Sequence, residues 1–135
     1  LPLVSQIQAF FLSSFFEKDN VVLANEKNNL NSKIILKTDL EFHNDTENNY
    51  NIVLNQNSMP EMTDEIVEGY LNKISNDNLK YFFSFNHEAI STHFNQQQVS
   101  VREICEKNPK LNLVLRNPSF MRNGYLEEVY NLKKS

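Results

Sequence analysis

Tyr50-Asn-Ile-Val-Leu-Asn-Gln-Asn-Ser-Met-Pro-Glu-Met62 decides the fold, because an apolar run stops abruptly in a polar loop and an amphipathic helix follows. The order is strand, loop, helix. In open α/β sheets small molecules bind just beyond the carboxyl ends of the strands, so Asn57, Ser58 and Glu61 stand where chemistry is expected.

Downstream, Thr63 suits an N-cap, and Asp64 and Glu65 complement the helix dipole. Ile66, Val67, Tyr70, Leu71 and Ile74 then fall on one helical face until Asn76-Asp77-Asn78 ends the pattern. Leu79 to Phe85 reads as an aromatic strand that runs out into a second polar loop, Asn86-His87-Glu88. Two strands joined by a helical crossover pair in parallel, which predicts that their two polar loops are neighbours. A short helix over Val99 to Lys107 follows. Leu111 to Arg116 and Tyr125 to Leu132 then form strands around Asn117-Pro118-Ser119 and Asn123-Gly124, a closing antiparallel pair.

Upstream, Pro2 suits a first helical turn, and Leu3, Val4, Ile7, Phe10, Phe11, Leu12 and Phe15 put apolar side chains on more than one face, predicting a largely buried helix. Val21 to Ala24 and Lys33 to Leu36 are short β-branched runs, and a polar loop, His43 to Asn49, leads into the central strand. The fold class is therefore α/β, with parallel strands ending in an antiparallel pair. Leu1 to Phe16 lacks the basic segment and small-residue cleavage site of a signal peptide. Its immediate entry into a hydrophobic helix is expected of a chain cut inside a domain.

The 135 residues suit one domain, and ten Phe with five Tyr supply a core. A formal charge of −4 without a Lys/Arg stripe argues against nucleic acid or an anionic membrane surface as partner. No apolar run is long enough to span a bilayer. The single Cys105 excludes an intrachain disulfide and reads as a small buried residue in a reducing, cytoplasmic setting. With only Gly69 and Gly124 there is no Gly-rich phosphate loop, and His87 and His93 lack zinc-ligand spacing, so no metal site is expected.

The element order, with Leu1-Pro2 leading into Gln8-Ala9-Phe10-Phe11-Leu12, then Asn57-Ser58-Met59-Pro60-Glu61-Met62, Tyr70-Leu71 and Tyr81-Phe82-Phe83-Ser84-Phe85-Asn86, resembles the sugar O-methyltransferases of the class I S-adenosylmethionine (SAM) dependent superfamily. The resemblance covers residues 1–135 but only about the carboxyl half of that family's catalytic domain, implying a partial Rossmann-like sheet. It also implies an enzyme that methylates a sugar hydroxyl in polysaccharide biosynthesis, with SAM as cofactor and a sugar or glycan as acceptor. The family's Gly-rich loop and ribose-holding acidic residue belong to an amino-terminal half that has no counterpart in this sequence. That half would be a required partner, and the isolated chain is expected to be inactive.

By the same resemblance, Asp39 falls beside the adenine amine, Asn57 and Ser58 face the cofactor, and Asn86 and Glu88 hold the acceptor. A sugar hydroxyl is weakly acidic, so a positioned carboxylate or imidazole helps remove its proton during in-line methyl displacement; Glu61 and His87 are the candidates. Each has a plainer alternative. Asp39 suits a solvated turn, Glu61 a helix-start carboxylate and His87 an exposed loop. Two other functions stay open: a degenerate methyltransferase-like scaffold module, and a small nucleotide- or sugar-binding α/β domain without transfer chemistry.

Overall fold

Pro2 begins the first helix, α1 (Pro2–Phe15), as expected for a residue whose missing N–H costs nothing in a first turn. In the computed structural model α1 belongs to one compact unit, Leu1–Thr46, and a second unit comprises Glu47–Ser135. The structure describes residues 2–16, 20–24, 34–46, 50–77, 79–88, 92–93 and 96–133.

In the first unit α1 packs on β1 (Val21–Leu23), which pairs in parallel with β2 (Ile34–Leu36). Lys33, expected to start the second strand, lies outside the described residues. Contrary to the expectation of a largely buried helix, Phe10 is 81% exposed and Phe15 72%. The reason is geometric: the apolar side chains point around the whole helix, and two three-residue strands cover little of it. The expected polar loop from His43 is also corrected, because His43 and Asn44 close a short helix, α2 (Asp39–Asn44). Its cause is a capping box. The Glu41 backbone N–H donates to Thr38 Oγ1 at 3.3 Å, and Glu41 Oε2 accepts from the Thr38 backbone N–H at 2.7 Å. That backbone bond, followed by the Thr38 hydroxyl, holds the Glu41 carboxyl below its ordinary pKa. Residues 47–49 of the expected loop lie outside the described residues.

In the second unit β3 (Ile52–Gln56) is followed by a 3₁₀ turn (Met59–Glu61) and α3 (Asp64–Asn76), which crosses over to β4 (Tyr81–His87). The strands β3 and β4 are parallel, in register from Ile52↔Tyr81 to Gln56↔Phe85, as the crossover predicts. A two-residue pair, β5 (Thr92–His93) and β6 (Gln96–Gln97), precedes α4 (Val101–Lys107). The chain closes with β7 (Leu111–Pro118) and β8 (Tyr125–Leu132), antiparallel around Gly124, whose φ of +79° is readily reached only by glycine. Because β8 also pairs antiparallel with β4, the sheet order is β3-β4-β8-β7, a mixed α/β sheet of one parallel and two antiparallel pairings.

Strand alternation sends Phe82, Ser84 and Asn86 of β4, and Glu128, Tyr130 and Leu132 of β8, to one buried face. Val67, Leu71 and Ile74 of α3 and Val101, Ile104 and Cys105 of α4 supply further buried side chains. Phe82 stacks on Tyr130 at 5.9 Å between ring centroids, and each buried large apolar side chain contributes about 1.5–3 kcal/mol. Two expectations are corrected here. Ile66 is 49% exposed because the buried stripe runs through Val67, Leu71 and Ile74, about 100° further round the helix. Thr63 occupies the N-cap position without accepting a capping bond; its hydroxyl instead helps hold the Glu65 carboxyl below its ordinary pKa, after Glu65's own backbone N–H.

Candidate functional site

The apolar run of β3 ends at Asn55 and Gln56, and Asn57 then adopts φ +59°, the left-handed conformation that asparagine tolerates better than most residues. This turn directs the Asn57 backbone N–H back toward β4, where it donates to Asn86 Oδ1 at 2.9 Å and to the Phe85 carbonyl at 3.1 Å. The Tyr125 hydroxyl donates to Asn57 Oδ1 at 2.9 Å. The loop after β3, the end of β4 and the start of β8 are therefore joined, and the two polar segments are neighbours as the parallel pairing predicts.

Met59 and Pro60 are buried, and the Pro60 carbonyl accepts from the Val99 N–H at 3.1 Å, so the loop is anchored from beneath. Ser58 is exposed, and its Oγ accepts from Asn55 Nδ2 at 2.6 Å. Asn55 Oδ1 is buried with no hydrogen-bond partner among the described residues. Glu61, the last residue of the 3₁₀ turn, is exposed and makes no side-chain hydrogen bond among the described residues.

Asn86 and His87 lie within β4 and not in a loop beyond it, because β8 pairs with β4 as far as His87↔Tyr125 and extends the ladder. Asn86, only 6% exposed, donates from Nδ2 to Ser84 Oγ at 2.8 Å. His87 is half-buried, its ring edge-on to Tyr125 at 5.7 Å, and Arg122 lies 4.3 Å above the same tyrosine ring. Glu88 is exposed; its backbone N–H donates to the Gly124 carbonyl and its carboxylate pairs with Arg116 Nη2.

Beside these groups, between the sheet and α4, lies a cavity of about 330 Å³, within the lower range of small-molecule pockets. Of the seven residues singled out from the sequence, Asn86, His87 and Glu88 line it. Asn57 adjoins it through Asn86, and Ser58 through Asn55 and the neighbouring strand. Glu61 is not on its wall. Asp39 belongs to the first unit, as the first residue of α2, with its carboxylate 3.1 Å from His43 Nδ1.

The structure adds Glu128, which sequence reading passed over. It is 4% exposed, on the cavity wall, and accepts from the Tyr130 hydroxyl at 3.0 Å and from Arg116 Nε at 3.2 Å. One guanidinium thus bridges buried Glu128 and exposed Glu88, which offsets the cost of burying the carboxylate. The signal in the sequence is parity: Leu126, Glu128, Tyr130 and Leu132 share a strand face on which a lone carboxylate is out of place. Below it, burial pushes the Cys105 thiol up to about 12, and burial, then Cys105 and Glu128, holds the Tyr130 phenol above its ordinary value. Such a thiol is inert as a nucleophile.

These residues do not by themselves fit SAM. Asn57 and Ser58 direct polar atoms to internal partners, Asp39 faces His43, and the two glycines sit in α3 and the β7–β8 turn instead of in a phosphate-type loop. What the site offers is an array of donors and acceptors suited to hydroxyl groups. Among the described residues no three His, Cys, Asp or Glu side chains are grouped to hold a metal ion, and no helix is long and apolar enough to cross a membrane. No protein-family model and no curated protein matches this sequence.

Proposed function

We propose that the carboxyl ends of β3 and β4 form the acceptor side of a methyltransferase-type α/β domain, and that the acceptor is a sugar hydroxyl. The observation that carries this reading is the Asn57–Asn86 link, which sets two strand-end segments together beside a polar cavity of monosaccharide scale. Ser84, Asn86 and Glu128 present donors and acceptors on the cavity wall, and a sugar hydroxyl can satisfy both kinds at once. His87, at the rim, is the better placed of the two candidate bases. The resemblance implies SAM as the methyl donor, and the described residues do not by themselves hold it.

Titration of the ¹⁵N-labelled chain with monosaccharides tests the binding step. Saturable shifts at the amides of Asn86 to Glu88 and Ser100 to Glu103, in the millimolar range, are expected; their absence refutes the acceptor site. The internal partners taken by Asn57 and Ser58 favour one second reading, a sugar-binding domain without transfer. Labelled-methyl transfer from SAM to sugar by the natural polypeptide separates the two.

A further inference from the structure

We infer that β3 is a docking edge for a second copy of this chain, the two β3 strands pairing antiparallel about Leu54 so that two four-stranded sheets join into one. Among the described residues β3 pairs only with β4, which leaves it at the end of the sheet. The Asn51 carbonyl accepts from the Lys80 and Tyr81 N–H groups, and the Asn57 N–H donates to the Phe85 carbonyl, so the odd-numbered residues aim their backbone groups at β4. Alternation then turns the N–H and C=O groups of Ile52, Leu54 and Gln56 outward, and no described residue meets them. An open row of this kind is a template for another strand.

The strand is complementary to itself. Centred on Leu54, antiparallel pairing sets Ile52 opposite Gln56 of the other copy and Leu54 opposite its own counterpart, so the outward residues of both strands exchange their N–H and C=O bonds in full. Nothing blunts this edge: Tyr50 to Met59 contains no charge and no proline, and the register with β4 runs without a bulge. The opposite edge, β7, is guarded by a bulge between Leu113 and Leu115 and by Arg116 and Pro118. Side chains point the same way. Ile52 is 55% exposed and Leu54 64%, beside Tyr81 on the same sheet face, and pairing about Leu54 brings these apolar groups of both copies together. A five-residue strand pair falls short of the about 1,200 Å² of a standard interface, so the dimer is weak, with a Kd of about 10–1,000 μM. The same register sets Asn57 opposite Asn51 of the other copy, so each strand-end segment borders the second chain. The inference does not depend on the sugar reading.

Sedimentation equilibrium of the full chain, with amide exchange measured at low and high protein concentration, tests the edge. A monomer–dimer equilibrium is expected, with protection at Ile52, Leu54 and Gln56 rising about tenfold with concentration while Val53, Asn55 and Asn57 stay unchanged. Leu54→Lys, which sets two ammonium groups opposite each other, and Leu54→Pro, which removes only an outward N–H, are each expected to weaken the dimer at least about tenfold. The lysine variant, at an exposed position, is expected to keep the parent melting temperature. Leu115→Lys on the β7 edge is expected to leave association unchanged. A chain that stays monomeric up to about 1 mM overturns the inference. So does a dimer broken by Leu115→Lys and not by Leu54→Lys, which would place the interface on β7. Protection of Ile52, Leu54 and Gln56 that is already complete in the monomer also overturns it, because another segment of the same polypeptide would then hold the edge.

Discussion

The backbone N–H of Asn57 and the side-chain carbonyl of Asn86 are 2.9 Å apart, and this one bond joins the ends of two parallel strands that a thirteen-residue helix separates in sequence. Because Asn86 is buried, losing its side chain removes an acceptor that water replaces poorly. Asn86→Ala is expected to lower unfolding stability by about 1–3 kcal/mol and to speed hydrogen exchange at the Asn57 amide. Urea denaturation and amide exchange measure the two effects; an unchanged Asn57 exchange rate would show that the Phe85 carbonyl alone holds the turn.

Asn57 combines a left-handed backbone with a bond from Tyr125. Asn57→Ala keeps the strained conformation, about 1–2 kcal/mol for a residue with a Cβ, and loses the bond; Asn57→Gly loses only the bond. The alanine variant should therefore melt earlier than the glycine variant. Tyr125→Phe made in each background gives the coupling, expected near 1 kcal/mol with asparagine and near zero with either substitution.

His87 and Glu61 differ in place, the one on the cavity rim and the other exposed away from its wall. If methyl transfer is assayed in the natural polypeptide, His87→Ala is expected to lower turnover by about 10²–10⁴-fold, the usual contribution of a general base, and Glu61→Gln by far less. The opposite ranking would return the role to Glu61. No change in either variant would mean that alignment alone drives the reaction.

The buried thiol gives a pH prediction with a definite sign. Folding raises the Cys105 pKa from an ordinary 9.0 to about 12, so the native state keeps a proton that the unfolded chain releases. Its stabilisation is complete below the ordinary value and declines as pH rises from 9.0 toward about 12, with Tyr130, raised above 10.0, acting in the same direction. Urea midpoints should fall across this range, less steeply in Cys105→Ala. Native Cys105 should also resist alkylation until the protein is unfolded; rapid labelling of the folded chain would contradict its burial.

The strand, loop and helix around Asn57, the parallel pairing of β3 with β4 and the antiparallel closing pair were all legible, because each follows from local periodicity or from the length of a connection. The α2 helix was equally local, written in the Thr38 to Glu41 capping box, but masked by the polar residues around it. The extent of β4 was not legible. Asn86-His87-Glu88 has loop composition, and it was pairing with a strand about forty residues later that drew Asn86 and His87 into the sheet.

By itself the sequence determined the order of elements and which segments run parallel, since hydrophobic period and crossover length act within a few dozen residues. Only the tertiary structure decided which polar side chains meet. Whether Ser84 stands opposite Glu128, and whether Arg116 reaches both Glu128 and Glu88, depends on the register among β4, β8 and β7. A shift of one residue would turn Glu128 to the other face and empty the cavity wall of its carboxylate. That register is set by the packing of Phe82 on Tyr130 and by the core beneath them, a cooperative outcome that no local stretch of the chain contains.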